Sequence, residues 1–371
     1  VASQTATARE QIPQADPARR LARFRPQVEA AMRRVLDSGH LLLGPETEAF
    51  EAEFARHHAV AHAVAVSSGA DAVTLALQAA GARPGDEVIL PALTAVPSAG
   101  AVRQAGCVPR FVEIDPATRN IDPSAIAAAI TPRTTAILPV HLHGFPAALP
   151  AIVALARRHN LLVIEDCAQA HDAEIGGRKL GGFGHAAAFS FYPTKNLGAM
   201  GDAGAVLTND PAIAARVRRL RSHGFDAAGQ VAEPGGTRRM DEVQAAILRV
   251  LLPHLPEATA ARRRLAAEYR AALAGLPVDL PPQDPGAVHH QFAIGVAGRD
   301  RVRSALAGQG VLTGIHYTPG LHRQPAFAVS GVHLPLTDRL CDTLLSLPIQ
   351  PEVAEGKITR IVEALARSLQ P

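Results

Sequence analysis

Short β-rich runs alternate with helical patterns between residues 60 and 210, and this alternation limits the fold more than any other feature of the chain. Strand character falls at 63–66, 87–90, 109–114, 135–140, 161–164, 187–191 and 205–208, and helical spacing separates most of these runs at 70–80, 98–104, 123–129 and 149–159. Strands joined through helices need crossover connections, which give a mainly parallel sheet between helices. Ligands of such sheets gather beyond the carboxyl ends of the strands. Ahead of the alternation, helical patterns are expected at 26–36, stopped by Ser38-Gly39, and at 46–57. Residues 1–20 show no sustained period and read as a loose arm. After Asp241 a helical pattern runs through Leu251, is interrupted at Pro253 and Pro256, and resumes over 258–273. A Pro/Gly-rich stretch at 276–286 then marks a boundary. Beyond it, strand signals at 291–296 and 312–316 mix with helices at 300–309 and 353–369. The expected organisation is an arm (1–20), a large α/β domain (21–257) and a smaller α+β domain (258–371).

Composition narrows the function classes. The 371 residues carry 37 basic and 34 acidic side chains, a net charge of +3, too small an excess for a nucleic-acid footprint. Cys107, Cys167 and Cys341 lie far apart, so neither a disulfide framework nor a zinc cluster is suggested, and a reducing cytoplasm is the expected setting. Val1 to Arg9 lacks the apolar core of a signal peptide, and no apolar run reaches about 18 residues. With Trp absent and Tyr at three, much of the core must be Ala, Leu and Val, which suits helices packed closely on a sheet.

Three segments carry chemistry. In Ser190-Phe191-Tyr192-Pro193-Thr194-Lys195-Asn196-Leu197-Gly198 a strand ends in a turn that sets one lysine among apolar and small residues. Partial desolvation there makes its amine easier to deprotonate and able to form a Schiff base with an aldehyde; the plainer reading is a surface lysine in a loop. The apolar run 161–164 ends in Glu165-Asp166, followed by Cys167-Ala168-Gln169-Ala170-His171. A strand-end carboxylate can hold the protonated nitrogen of a pyridine ring, with Gln169 in reach of a ring hydroxyl; Asp166 could equally cap a helix. Val66-Ser67-Ser68-Gly69-Ala70 joins a strand to a helix through small residues and offers free amides to a phosphate, or forms a tight turn. His141 and His143 sit two apart on an expected strand, but no partner at ligand spacing supports a metal. The arginine runs at 218–221 and 262–264 read as solvated helix faces. A nicotinamide dehydrogenase is disfavoured, because no strand is followed by G-x-G-x-x-G.

A phosphate cradle, a strand-end acid and a strand-end lysine, in this order, resemble the DegT/StrS-type sugar-nucleotide aminotransferases, which are fold-type I pyridoxal-phosphate enzymes. The resemblance runs from about Phe24 to the last helix. Its other phrases include Leu43-Gly44-Pro45, Pro84-Gly85-Asp86-Glu87-Val88-Ile89, Pro139-Val140-His141-Leu142-His143-Gly144, Arg239-Met240-Asp241-Glu242 and Ile315-His316-Tyr317. It implies Lys195 as the Schiff-base lysine, Asp166 as the pyridinium partner and Gln169 as the partner of the ring hydroxyl. It also implies Ser190 and the Gly69 and Ala70 backbone as phosphate ligands. Members are homodimers with shared sites, so residues 235–239, including Thr237, are expected to reach a neighbouring subunit. Arg239, His316, Tyr317 and His322 are the expected substrate residues. Ala70 stands where Thr is usual, Thr237 where Asn is usual, and Ala95 where many relatives place a ring-stacking aromatic.

The implied activity is pyridoxal-phosphate-dependent transfer of an amino group from L-glutamate to a keto group on a nucleotide-linked deoxysugar, with dTDP the expected carrier. The alternatives are a cofactor-binding protein without catalysis and a sugar dehydratase. In the dehydratases of this architecture His replaces the lysine, so Lys195 favours transamination.

Overall fold

The computed structural model describes residues 10–328 and 331–370. Seven strands form the central sheet: β1 (His62–Val66), β2 (Glu87–Pro91), β3 (Val108–Val112), β4 (Thr134–Ile137), β5 (Leu162–Asp166), β6 (Ala186–Ser190) and β7 (Gly204–Thr208). Their order is β1-β7-β6-β5-β4-β2-β3. The pairs from β6 through β3 are parallel, whereas β7 is antiparallel to both of its neighbours. Consequently β1, β6 and β5 run the same way and end along one edge of the sheet.

Helices cover both faces. In chain order they begin with α1 (Pro17–Arg23), α2 (Arg25–Ser38), α3 (Pro45–His57), α4 (Gly69–Ala80), α5 (Val96–Gln104), α6 (Pro123–Ala129), α7 (Leu149–Arg158) and α8 (Pro211–Leu220). The period of two in β1 decides which layer each side chain meets. Val64 and Val66 enter a core with Leu75 of α4, Val102 of α5 and Val217 of α8, while Ala63 and Ala65 face Phe50 and Phe54 of α3 on the other side. Those two rings are fully buried and meet Phe191 edge-on, a burial worth about 1.5–3 kcal/mol for each phenylalanine. The start of α3 is held by α9 (Glu242–Leu251): the buried Glu242 carboxylate accepts the amides of Gly44 (2.9 Å), Glu46 (2.5 Å) and Thr47 (3.3 Å), an anion at the positive end of a helix. A Cβ on Gly44 would stand 2.9 Å from that carboxylate, so the approach requires glycine.

The C-terminal part is built from α10 (Leu255–Ala272), β8 (Phe292–Gly295), α11 (Arg299–Gly308), α12 (Pro335–Thr343), β9 (Leu344–Leu347) and α13 (Ile358–Leu369). Its core gathers Leu265, Tyr269, Phe292, Leu306, Leu347 and Ile361. Leu255 belongs instead to the core of the sheet, so the expected division at 257/258 falls inside α10. Pro256 occupies the first turn of that helix, where no amide is needed, and does not break it.

Several expectations are corrected. Of the arm expected over 1–20, residues 1–9 lie outside the described residues, but the remainder is not loose: Ile12 is fully buried and bridges to Val311, and α1 follows. Residues 312–316 form no strand, because Val311 meets Ile12 while Gly314 meets Ser346, and two different partners cannot make one ladder. The helix expected over 353–369 is split at Gly356, whose φ of 70° leaves the helical region. The arginine runs are not simply solvated: Arg221 is buried and meets Glu51 at 2.5 Å, and the buried Arg262 donates to the His289 carbonyl. Among the described residues no helix is long and apolar enough to cross a membrane.

Candidate active site

The edge where β1, β6 and β5 end carries Val66, Ser190 and Asp166. Gly204, at the start of β7, lies opposite both Val66 and Ser190 in register. A Cβ there would come within 2.3 Å of the Ser68 carbonyl oxygen, and one on Gly69 would come within 2.5 Å of Ser190 Cβ. Two glycines therefore let the Ser68–Ala70 backbone close onto Ser190. Ser68 caps α4 by accepting the Asp71 amide at 3.1 Å, and Ala72 bonds back to the Ser68 carbonyl. Among the described residues the amides of Gly69 and Ala70 have no protein acceptor, so this helix end presents two free donors beside the Ser190 hydroxyl.

The strand alternation also separates the two acids of β5. Glu165 points to the face away from this edge, where it accepts the amides of Gly181 (3.0 Å), Phe183 (2.8 Å) and Gly184 (2.8 Å) and is a structural anchor. Asp166 faces a cavity of about 490 Å³. No helix follows it, so it caps none; its Oδ1 accepts the Ala168 amide at 3.1 Å and its Oδ2 accepts the Ser98 hydroxyl at 2.8 Å. Thr94 lies 3.1 Å behind Ser98 and steadies that hydroxyl. Lys195 is half-buried in the same cavity, and burial lowers its amine to about 8 against the pull of the Asp166 charge. At pH 7.5 roughly a quarter of such amines are neutral, compared with about a thousandth for an exposed lysine. His316, His171 and His290 are held below the usual imidazole range by burial and then by the Lys195 charge. The imidazoles around Lys195 therefore stay neutral near pH 7.

Gln169 is oriented from both ends: its Oε1 accepts the His143 amide at 2.6 Å, and its Nε2 donates to the Tyr317 hydroxyl at 2.8 Å. Burial, with the nearby Asp166 charge, pushes that phenol up to about 12, so it stays protonated.

An apolar cavity with an acid, a depressed amine and a free amide pair is paralleled by a match over residues 24–366 to the DegT/DnrJ/EryC1/StrS aminotransferase family. The chain belongs to this family. It is 45% identical over 350 residues to a dTDP-3-amino-3,4,6-trideoxy-alpha-D-glucose transaminase of Streptomyces venezuelae, covering 92% of both chains. It is 43% identical over 361 residues to a UDP-N-acetyl-3-dehydro-alpha-D-glucosamine 3-aminotransferase of Acidithiobacillus ferrooxidans, covering 96% of this chain and 98% of that one. The crystal structure of NtdA from Bacillus subtilis with bound cofactor PMP superposes with a TM-score of 0.92 at 31% identity, covering 99% of this chain and 87% of that one.

Membership implies a pyridoxal or pyridoxamine phosphate cofactor, and the donor set fits one. The free Gly69 and Ala70 amides with Ser190 suit a phosphate, the buried Asp166 suits a protonated ring nitrogen, and Lys195 suits an aldehyde. Of the residues singled out in the sequence, Gly69, Ala70, Asp166, Gln169, Ser190, Lys195 and Tyr317 line one cavity. Thr237, Arg239, His316 and His322 do not. Thr237 is exposed and Arg239 half-buried, and neither lines the cavity, although the carbonyl of Arg238 between them accepts the Ser67 amide at 3.1 Å. The His316 ring bonds the Ser346 hydroxyl at 2.9 Å, and His322 is buried against Asp338 at 3.2 Å. Ala95 lines the cavity with its methyl group alone, which leaves that wall wide. Ser98 and Thr94 escaped the sequence reading, since nothing local marks a contact 68 residues away from Asp166.

The cluster of His141, Glu165 and Cys167 is packing chemistry. His141 Nδ1 accepts the Ala147 amide, which leaves the proton on Nε2, 3.7 Å from Glu165.

Proposed function

We propose that this protein transfers the amino group of L-glutamate to the keto group of a nucleotide-linked deoxysugar, with dTDP as the carrier, using pyridoxal 5′-phosphate. The observation that carries the reading is the depressed Lys195 amine facing the same cavity as Asp166 and the free Gly69 and Ala70 amides. When bound, pyridoxal phosphate supplies an aldehyde that condenses with amines and a ring that accepts the electron pair left at a substrate Cα. Lys195 would be the amine that holds that aldehyde, and once free it would move the proton at the substrate Cα. An amine near 8 is suited to both directions of that transfer. Asp166 holds the proton on the ring nitrogen, and Ser98 holds Asp166. Ser190 and the two amides would bind the phosphate, and Gln169 would reach the ring hydroxyl.

The substrate side is assigned to Tyr317 and Arg239, with His316 and His322 behind the cavity wall. In this reading the enzyme is a homodimer, and residues 235–239 of each subunit, Thr237 included, complete the neighbouring cavity. The large and small domains, 21–257 and 258–371, meet at α10. The test is a pair of half-reactions. L-glutamate is expected to convert the lysine-bound cofactor to its amino form, and keto-sugar nucleotides on dTDP and UDP carriers are then expected to reverse the change, dTDP faster. Cofactor binding with no response to glutamate would point instead to a non-catalytic protein.

A further inference from the structure

The turn that carries Lys195 leaves β6 and enters no helix, so its carbonyl groups need donor partners from elsewhere. They converge on one side chain. Arg20 Nη1 donates to the carbonyls of Lys195 (2.6 Å) and Asn196 (3.4 Å), and its Nη2 to those of Pro193 (2.7 Å) and Gly198 (3.3 Å). The guanidinium is buried, and among the described residues no carboxylate stands within ion-pair distance of it. Four carbonyl dipoles take the place of a paired carboxylate, with the Glu352 charge acting from beyond ion-pair distance. The turn is shaped for this contact: a Cβ on Gly198 would lie 2.5 Å from Arg20 Nη2 and 2.6 Å from the Pro193 carbonyl oxygen.

The segment that bears Arg20 is fixed at its other end to the C-terminal part. Ile12 donates to Gly310 at 2.8 Å and accepts from Leu312 at 2.9 Å, and Asp16 exchanges two bonds of 2.8 Å with the Gln350 side chain. A second line reaches the same turn, since Gln14 donates to Gln291 at 2.6 Å and the neighbouring His290 meets Asn196 Oδ1 at 3.1 Å. We propose that Arg20 is a positioning residue for Lys195: its guanidinium sets the backbone of residues 193–198 and hence the point from which the amine enters the cavity, and residues 12–20 tie that setting to the C-terminal part. The inference rests on the role given to Lys195 above.

Arg119 supplies the control. It is equally buried and donates to the carbonyls of Ala293 (2.6 Å) and Leu280 (3.0 Å), but it does not touch the Lys195 turn. Cofactor-free wild type, Arg20→Ala, Arg20→Lys and Arg119→Ala are compared by Tm, by hydrogen exchange of amides 194–199, and by the rate of cofactor condensation per folded molecule. The pH midpoint of the visible band of the lysine-bound cofactor is the fourth readout. Arg20→Ala is expected to condense about tenfold or more slowly, a fraction of the loss caused by a 1 Å misplacement, with faster exchange and a moved midpoint. Arg20→Lys, which keeps the charge but cannot span the four carbonyls in one plane, is expected to lose about threefold. Arg119→Ala is expected to lower Tm and leave condensation and midpoint unchanged. Should Arg20→Ala not fold, Arg20→Lys decides by the same readouts. An Arg20 variant with wild-type condensation and midpoint overturns the proposal, as does an Arg119 variant that matches the Arg20 variants. Wild-type protein that fixes no cofactor on Lys195 refutes the functional reading and is thereby distinguished from a failure at Arg20.

Discussion

The inner and outer walls of the cavity are built by different means. On the inner wall Asp166, Ser190 and the Gly69 and Ala70 amides stand at the ends of three co-directional strands, where sheet register sets their positions. On the outer wall the candidate groups come from loops: Tyr317 reaches the cavity, while Arg239, His316 and His322 sit behind it or away from it. A group fixed by a sheet is in place before any ligand arrives, so the inner wall suits a resident cofactor. Loop groups are free to differ between relatives, which suits a wall that chooses among sugars.

Mutations should separate the two walls. Asp166→Asn should slow both half-reactions by about 100-fold or more, because an amide cannot hold the ring proton as a carboxylate does; stopped-flow absorbance on each half-reaction checks this. An equal loss is the mark of an inner-wall residue.

The stability of the cofactor-free protein should show the strain of that wall next. Burial holds Lys195 at about 8, below the unfolded value near 10.5, so the unfolded chain binds more protons between these values and stability rises with pH across that window. Below pH 8 the cost is present in full. Lys195→Met should therefore stabilise the cofactor-free protein at pH 7, by up to about 3 kcal/mol, and the gain should fade by about pH 10.5. Urea unfolding at pH 7 and pH 10 measures both points.

Ser98→Ala removes one of the two donors to Asp166 and should lower kcat in both half-reactions about tenfold, the worth of one hydrogen bond to a charged group, with KM for glutamate little changed. Arg239→Ala should do the least to the glutamate half-reaction, within about twofold, while weakening the keto-sugar half-reaction about tenfold, the worth of one charged contact to the sugar nucleotide given to it under the proposed dimer. A loss in both half-reactions would move Arg239 to the inner wall.

The inner wall was legible in the sequence because its residues sit where regular patterns stop. The apolar run ending in Glu165-Asp166 puts its acids at a strand end by periodicity, while the parts given to Asp166 and Ser190 came from the family resemblance, and the seven sheet strands fall close to their expected positions. The resemblance named Asp166, and the pleat gives the physical reason: Glu165 turns to the Gly181–Gly184 amides and Asp166 to the cavity. What stayed hidden depends on distant contacts. Ile12 is a single large apolar residue in a polar stretch, and only the C-terminal core, with Val311 some 300 positions away as its backbone partner, explains its burial. Arg20 lies in a seven-residue helix too short to leave a period, and its carbonyl partners belong to a turn. The β-rich look of 312–316 misled because strand propensity does not supply a continuous partner.

The central claim is that Lys195 is the residue that carries the cofactor. Purified protein saturated with pyridoxal phosphate, reduced with borohydride and digested, should yield one modified peptide containing Thr194-Lys195-Asn196, and its visible absorbance should vanish on reduction. The Lys195→Ala protein should yield none. Modification shared with Lys179 and Lys357, the two other lysines of the chain, or a Lys195→Ala protein that keeps the absorbance, would contradict the account.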